Sequence, residues 1–246
     1  DDAYSTSNGN CWSSVANEIY FGKCADGEDL ISGFRFAGVN IPYGSTIVEA
    51  YLDFTIDGPY GNTLQVNFYG EAATDAATFS QGSQPADRPR IQSGGSPILV
   101  PWSITPADYW VSTNSRHGPN LAPIVQAIVS QPGWESGNAL AILAYNAGEV
   151  VGYPYHRRVF AYERFGDWYD KCNDPQHCGA RLVVKLQGPP IPGGSGHDNP
   201  PKGGGGGDDR NCSISSYGGT QGGAGDPINT RTGAFEYGWV DLSLPT

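Results

Sequence analysis

The chain has 246 residues, enough for one large all-β domain or for a domain plus an appendage. Its formal net charge of −11 argues against nucleic acid and against an anionic membrane surface, since both need clustered Lys and Arg. No apolar run approaches the roughly 18 residues that span a bilayer, so membrane insertion is not expected. The 35 Gly, 19 Pro, 14 Tyr and 6 Trp, beside only 16% charged residues, suit an extracellular β-protein better than a cytosolic enzyme.

The chain opens Asp1-Asp2-Ala3 and contains no Met, which reads as a mature product whose leader has been removed, or else as a trimmed fragment. Cys11 and Cys24 bracket an N-terminal loop, and Cys172 and Cys178 bracket the short turn 173–177. Two local disulfides follow for a secreted chain, the first stabilising by about 3 kcal/mol. A Cys/His zinc site through His177 lacks the paired ligand spacings such sites use. Cys212 is left over, as a free thiol or a bond to another chain.

Strands follow one another along the chain. Phe34–Phe36 is a short one. From Ser45 to Ile56 the residues Val48, Ala50, Leu52, Phe54 and Ile56 are apolar, and Glu49, Asp53 and Thr55 fall on the other face. Leu64, Val66 and Phe68 alternate with Gln65 and Asn67. One helix then breaks the pattern. After Pro119-Asn120 apolar residues recur at Leu121, Ile124, Val125, Ile128 and Val129, and Pro132-Gly133 closes the segment. Ala139–Tyr145 is apolar on both faces, as in a central strand. Val159–Tyr162 is a further strand, and Leu182, Val184 and Leu186 alternate with Arg181 and Lys185. Turn formers such as Asp57-Gly58-Pro59 and Asn146-Ala147-Gly148 punctuate the strands. Together they predict an all-β, two-sheet jelly-roll-like sandwich over residues 1–187, with one capping helix.

At residue 188 the composition changes. Residues 188–224 form a Gly/Pro-rich linker that includes the unbroken Gly203–Gly207. Residues 225–246 form a C-terminal strand segment. Phe235, Tyr237 and Trp239 share one parity, and Val240, Leu242 and Leu244 share the other. A segment this apolar behind a long linker cannot form its own core and must dock on a sheet.

Chemistry is sparse. No Gly-x-Ser-x-Gly, His-Glu-x-x-His or P-loop occurs. His117, His156, His177 and His197 all sit beside turn formers and read as solvated. Glu71, Glu135 and Glu163 are the carboxylates a glycosidase would need in a flanking pair, but Glu135 reads as a turn residue and Glu163 as a partner of Arg164. The chain therefore reads as non-enzymatic. Asp167, Asp170 and Asp174 form a loose acidic cluster without EF-hand spacing. It reads as a solvated loop, with structural calcium as the alternative and no other cofactor. Tyr153, Tyr155, Tyr162, Trp168 and Tyr169, with Arg157 and Arg158, supply the aromatic platforms and polar groups that a glycan contact uses; core or rim packing is the rival reading.

Two stretches carry a resemblance. Residues 33–187, through Gly33-Phe34-Arg35-Phe36, Val39–Ile47, Tyr69-Gly70-Glu71-Ala72, the Pro119–Trp134 helix and Trp134–Leu140, resemble β-sandwich modules of large secreted bacterial proteins, similar to the DNRLRE-type modules, some of which bind carbohydrate. No ligand residue carries over with that likeness. Gly225–Gly233 followed by Val240–Thr246 resembles the opening of Rhs/YD-repeat proteins, which implies an exported or cell-surface setting.

Two roles then compete. In the first, the chain is a structural or adhesive subunit that lends its C-terminal strand to a neighbour. Strand addition of this kind is heterologous and propagates into an open homopolymer. In the second, it is a carbohydrate-binding module of a larger secreted or cell-surface protein, with polysaccharide as partner.

Overall fold

Alternation and turn residues place the strands much as the sequence implies. The computed structural model describes residues 1–112, 114–162 and 178–187 and the backbone of 239–242, and these residues form fourteen strands and one α-helix. They are β1 (Asp2–Thr6), β2 (Trp12–Ser13), β3 (Glu18–Gly22), β4 (Leu30–Phe36), β5 (Ile47–Thr55), β6 (Leu64–Gly70), β7 (Gln92–Ser93), β8 (Ser96–Pro97), β9 (Leu99–Ile104), β10 (Ser115–His117), β11 (Leu140–Asn146), β12 (His156–Phe160), β13 (Arg181–Leu186) and β14 (Trp239–Leu242), with α1 at Ala122–Val129. A six-stranded sheet runs β2-β1-β4-β11-β6-β9 and a four-stranded sheet runs β10-β5-β13-β14, with β12-β3 and β7-β8 as separate pairs. The fold is an all-β sandwich.

The core lies between the two larger sheets. Phe34, Phe36, Phe68 and Ile142 come from one side and Ala50, Leu52, Phe54, Leu182 and Val184 from the other, all buried. Phe21 of β3 stands in the middle, with Phe54, Trp102 and Trp110 edge-on to it at centroid distances of 5.5, 6.0 and 6.3 Å. Such edge-to-face pairs add to the stabilisation from buried area. As its two apolar faces imply, β11 is central, between β4 and β6.

The helix is tied to β5 by side chains as well as by packing. Ile124, Val125, Ile128 and Val129 are buried. Asn120 Oδ1 accepts the amides of both Ala122 and Ala50, so one side chain satisfies the first amide of the helix and one of the strand. Gln126 accepts from the Ile47 amide and donates to the Ser45 carbonyl.

One parity expectation fails. Val48 is 50% exposed, whereas Ile47 is buried. The cause is an irregularity in the pairing of β5 with β13: Lys185 faces Glu49, but Leu186 faces Ile47, so the register shifts there and the alternation inverts.

A second layer covers the outer face of the six-stranded sheet. Residues 71–91 cross it and seat Ala76 and Phe79 against Ala3, Ala139, Ala141 and Leu143. The Phe79 ring lies on Gly33, where a Cβ would come within 2.4 Å of Cζ, so no larger residue fits without displacing the ring. Arg88 and Glu71 form a 2.8 Å ion pair beneath this layer, with side chains 4% and 5% exposed.

The strand 239–242 belongs to the four-stranded sheet and not to a separate unit. It pairs antiparallel with β13 of the same chain, Leu182 opposite Leu242 and Lys185 opposite Trp239. Residues 188–224, and the rest of the 225–246 segment, lie outside the described residues.

Candidate functional site

The most developed aromatic site is a cleft of about 380 Å³ beside the N-terminal disulfide, with Tyr4, Trp12, Tyr20, Lys23, Leu30 and His156 among its walls. The disulfide is Cys11–Cys24, as the spacing implies, and both cysteines line the cleft. Short strands bring the rings together: Tyr4 from β1, Trp12 from β2, Tyr20 from β3 and His156 from β12. Tyr4 meets Tyr20 edge-on at 5.1 Å, Tyr20 meets His156 at 5.1 Å, and His156 meets Tyr60 at 6.4 Å. These contacts form a continuous ladder of rings.

Burial controls the protonation of this ladder. It pushes the Tyr4 and Tyr60 hydroxyls up from their ordinary values. It holds His156 below its ordinary value, and the nearby Arg158 adds to that effect. The cleft therefore presents neutral rings at neutral pH, beside the Lys23 ammonium that pairs with Asp29 at 2.9 Å. Close backbone approach frames one wall. Gly22 has φ +117°, and a Cβ there would lie 2.5 Å from the Tyr155 carbonyl, so only glycine lets β3 and residue 155 meet.

The sequence-derived glycan residues divide. Tyr153 and Tyr155 are 85% and 54% exposed and pack edge-on at 5.9 Å, an open pair of rings. Arg158 lies beside them in sequence but is engaged by the Tyr60 hydroxyl and by Asp57 at 3.5 Å. Arg157 is a correction: it is fully buried, so its guanidinium cannot reach a glycan. It donates to the side chain and carbonyl of Asn62 and to the carbonyls of Thr105 and Asp108, and it stacks 5.0 Å from the Trp110 ring. Burial pushes its pKa down to about 10. Trp168 and Tyr169 lie outside the described residues, as do Asp167, Asp170, Asp174, Cys172, Cys212, Phe235, Tyr237 and Leu244. Of Trp239, Val240 and Leu242 only the backbone pairing is described. Cys178 is disulfide-bonded.

Residue types of a catalytic triad do meet elsewhere. Asp53, 5% exposed on β5, accepts from Ser115 at 2.5 Å, faces His117 Nδ1 at 3.3 Å and pairs with Arg181 at 2.5 Å. The Ser115 proton points at the carboxylate and not at the imidazole, so His117 does not activate it as a base would. The cluster instead joins β10, β5 and β13. Of the carboxylates considered for glycoside hydrolysis, Glu71 is locked to Arg88, Glu135 is exposed, and Glu163 is outside the described residues. Cys11, Cys24 and Asp26 also lie together, but both sulfurs are held in the disulfide and are not thiolate ligands.

Sequence reasoning missed Tyr4, Trp12 and Tyr20 because β1, β2 and β3 are too short to show a clear period. Arg157 carried a usable signal, since it shares parity with the core residue Val159.

The class defined by fold and site is an all-β sandwich with an aromatic cleft. No protein-family model matches the chain, and no curated protein matches it. No helix among the described residues is long and apolar enough to cross a membrane.

Proposed function

We propose that this chain is a non-catalytic extracellular structural and adhesive module whose copies join by lending strand 239–242 to the β13 edge of a neighbour. The observation that supports the reading is the β13–β14 register. Adjacent antiparallel strands are usually joined by a short turn, whereas here roughly fifty residues intervene. A tether of that length leaves the same backbone pairing open to the chain's own strand or to another copy's. The two arrangements contain the same contacts, and concentration selects between them. A disulfide in a low-charge, glycine-rich chain fits an extracellular setting.

Size-exclusion chromatography and electron microscopy across a concentration series test the reading. Polymers that grow with concentration, and vanish when residues 234–246 are deleted, are the expected result. A monomer at every concentration overturns it.

A second reading, a carbohydrate-binding module, draws on a different observation: the ring-lined cleft and the exposed Tyr153–Tyr155 pair. Its expected result is polysaccharide binding on a glycan array that survives the C-terminal deletion and is lost in Trp12→Ala.

A further inference from the structure

Arg90 differs from every other described arginine. Arg35, Arg88, Arg116, Arg157, Arg158 and Arg181 each have a hydrogen-bond or charge partner within the chain. Among the described arginines Arg90 alone has neither an ion pair nor a side-chain hydrogen bond, in a protein whose net charge is −11.

It is nevertheless held in place. Its guanidinium carbon lies 5.0 Å from the centroid of Tyr69 and 5.2 Å from that of Tyr145, and these rings are themselves edge-on at 5.2 Å. The rings sit on neighbouring strands: Tyr69 on β6 faces Leu143, and Tyr145 on β11 faces Asn67. The backbone is pinned too, because Arg90 bridges to Glu71 and the Ile91 amide donates to the Gly70 carbonyl. Stacking fixes the guanidinium through its faces and leaves its N–H edge free. The entropy of ordering a long side chain is then already lost before any ligand arrives.

Arg90 also borders two clefts, of about 620 Å³ and about 380 Å³, which Gln92 shares. The larger has an apolar floor that includes Ile91, Ile98 and Ala127, with the polar residues Gln92, Ser93, Ser130 and Gln131 also among its walls. Its volume lies within the range of small-ligand sites, about 300–1,000 Å³. Asp87 lines the smaller cleft and opposes an anion there, although its Oδ2 accepts the Gln84 amide. The larger cleft is therefore the favourable side.

We propose that Arg90 and the larger cleft receive an acidic sugar, the uronate carboxylate lying two-pronged on the guanidinium and its hydroxyls meeting Gln92, Ser93 and Ser130. A planar fork matches a carboxylate in a way that an ammonium does not, and apolar walls interspersed with Gln and Ser suit a sugar ring, which has C–H faces and hydroxyl edges. This site shares no residue with the aromatic cleft and does not depend on strand exchange, so it stands or falls separately from both.

Titration of the full chain with D-glucuronate, D-glucose and acetate, read by NMR and calorimetry, tests it. Glucuronate is expected to bind with Kd of about 1 mM, and both glucose and acetate at least about tenfold more weakly. Arg90→Gln is expected to abolish binding, and Arg90→Lys, which keeps the charge but not the fork, to weaken it about tenfold. Melting curves establish that both variants are folded. Equal binding of glucose overturns the carboxylate role, and equal binding of acetate overturns the sugar. Absent glucuronate binding, or unchanged binding in folded Arg90→Gln, overturns the site.

Discussion

Arg157 and Arg90 occupy two regions of one sandwich and share a contact, a guanidinium against an aromatic ring, yet their remaining surroundings are opposite. Around Arg157 the segments holding Asn62, Thr105 and Asp108 converge, and the guanidinium satisfies carbonyls that no strand reaches. Around Arg90 the neighbouring backbone is already satisfied by sheet-type bonds, and the side chain is left exposed with its donors open. The role of an arginine follows from what its N–H groups already hold. Where loops converge without a ladder the guanidinium replaces one; where the ladder is complete it is free to meet something from outside.

Substitutions can break this contrast. Arg157→Leu is expected to cost most, about 4 kcal/mol, because it strands the carbonyl and side-chain oxygen of buried Asn62 and removes a guanidinium packed on Trp110. Urea unfolding measures it, and a loss below about 1 kcal/mol would place Arg157 with the dispensable cations. Arg88→Leu tests an intermediate case two residues from Arg90. It leaves Glu71 buried without its cation and should cost about 3 kcal/mol. Acid titration probes the same end of the molecule as Arg157. His156 is held below its ordinary value by burial, so the unfolded chain binds its proton first. Its contribution to stability is complete above about pH 6.5 and is lost as pH falls through the lower folded value. A melting temperature that declines over this window in the native chain, and less so in His156→Gln, is the expected outcome. Arg90→Gln should change stability least, by about 0.5 kcal/mol or less, as an exposed side chain without hydrogen bonds. A large loss there would make Arg90 a structural residue and erase the contrast.

Much of the fold was legible because burial writes a period into the chain. Leu64, Val66 and Phe68, or Ile124, Val125 and Ile128, declare their elements without help from elsewhere. Val48 misled because it is itself the extra residue of a bulge, skipped where Lys185 pairs with Glu49 and Leu186 with Ile47, and only that distant pairing reveals it. Arg157 misled because charge was read as exposure, although its parity with Val159 pointed inward. The site was far less legible. Tyr69, Arg90 and Tyr145 are brought together only by the pairing of β6 with β11 and by the bridge from Glu71 to Arg90, so no spacing announces them. The cleft rings have the same difficulty, arriving from four short strands.

The central position of β11 has a consequence for how the molecule is made. Its partners β4 and β6 lie far upstream, and the pairing of Leu140 with Phe36 closes a loop of roughly a hundred residues. Until β11 emerges from the ribosome, two strands that will flank it have bare inner edges with nothing between them. Completion of this sheet therefore waits on one late segment, and the unfinished chain is the form most open to mispairing.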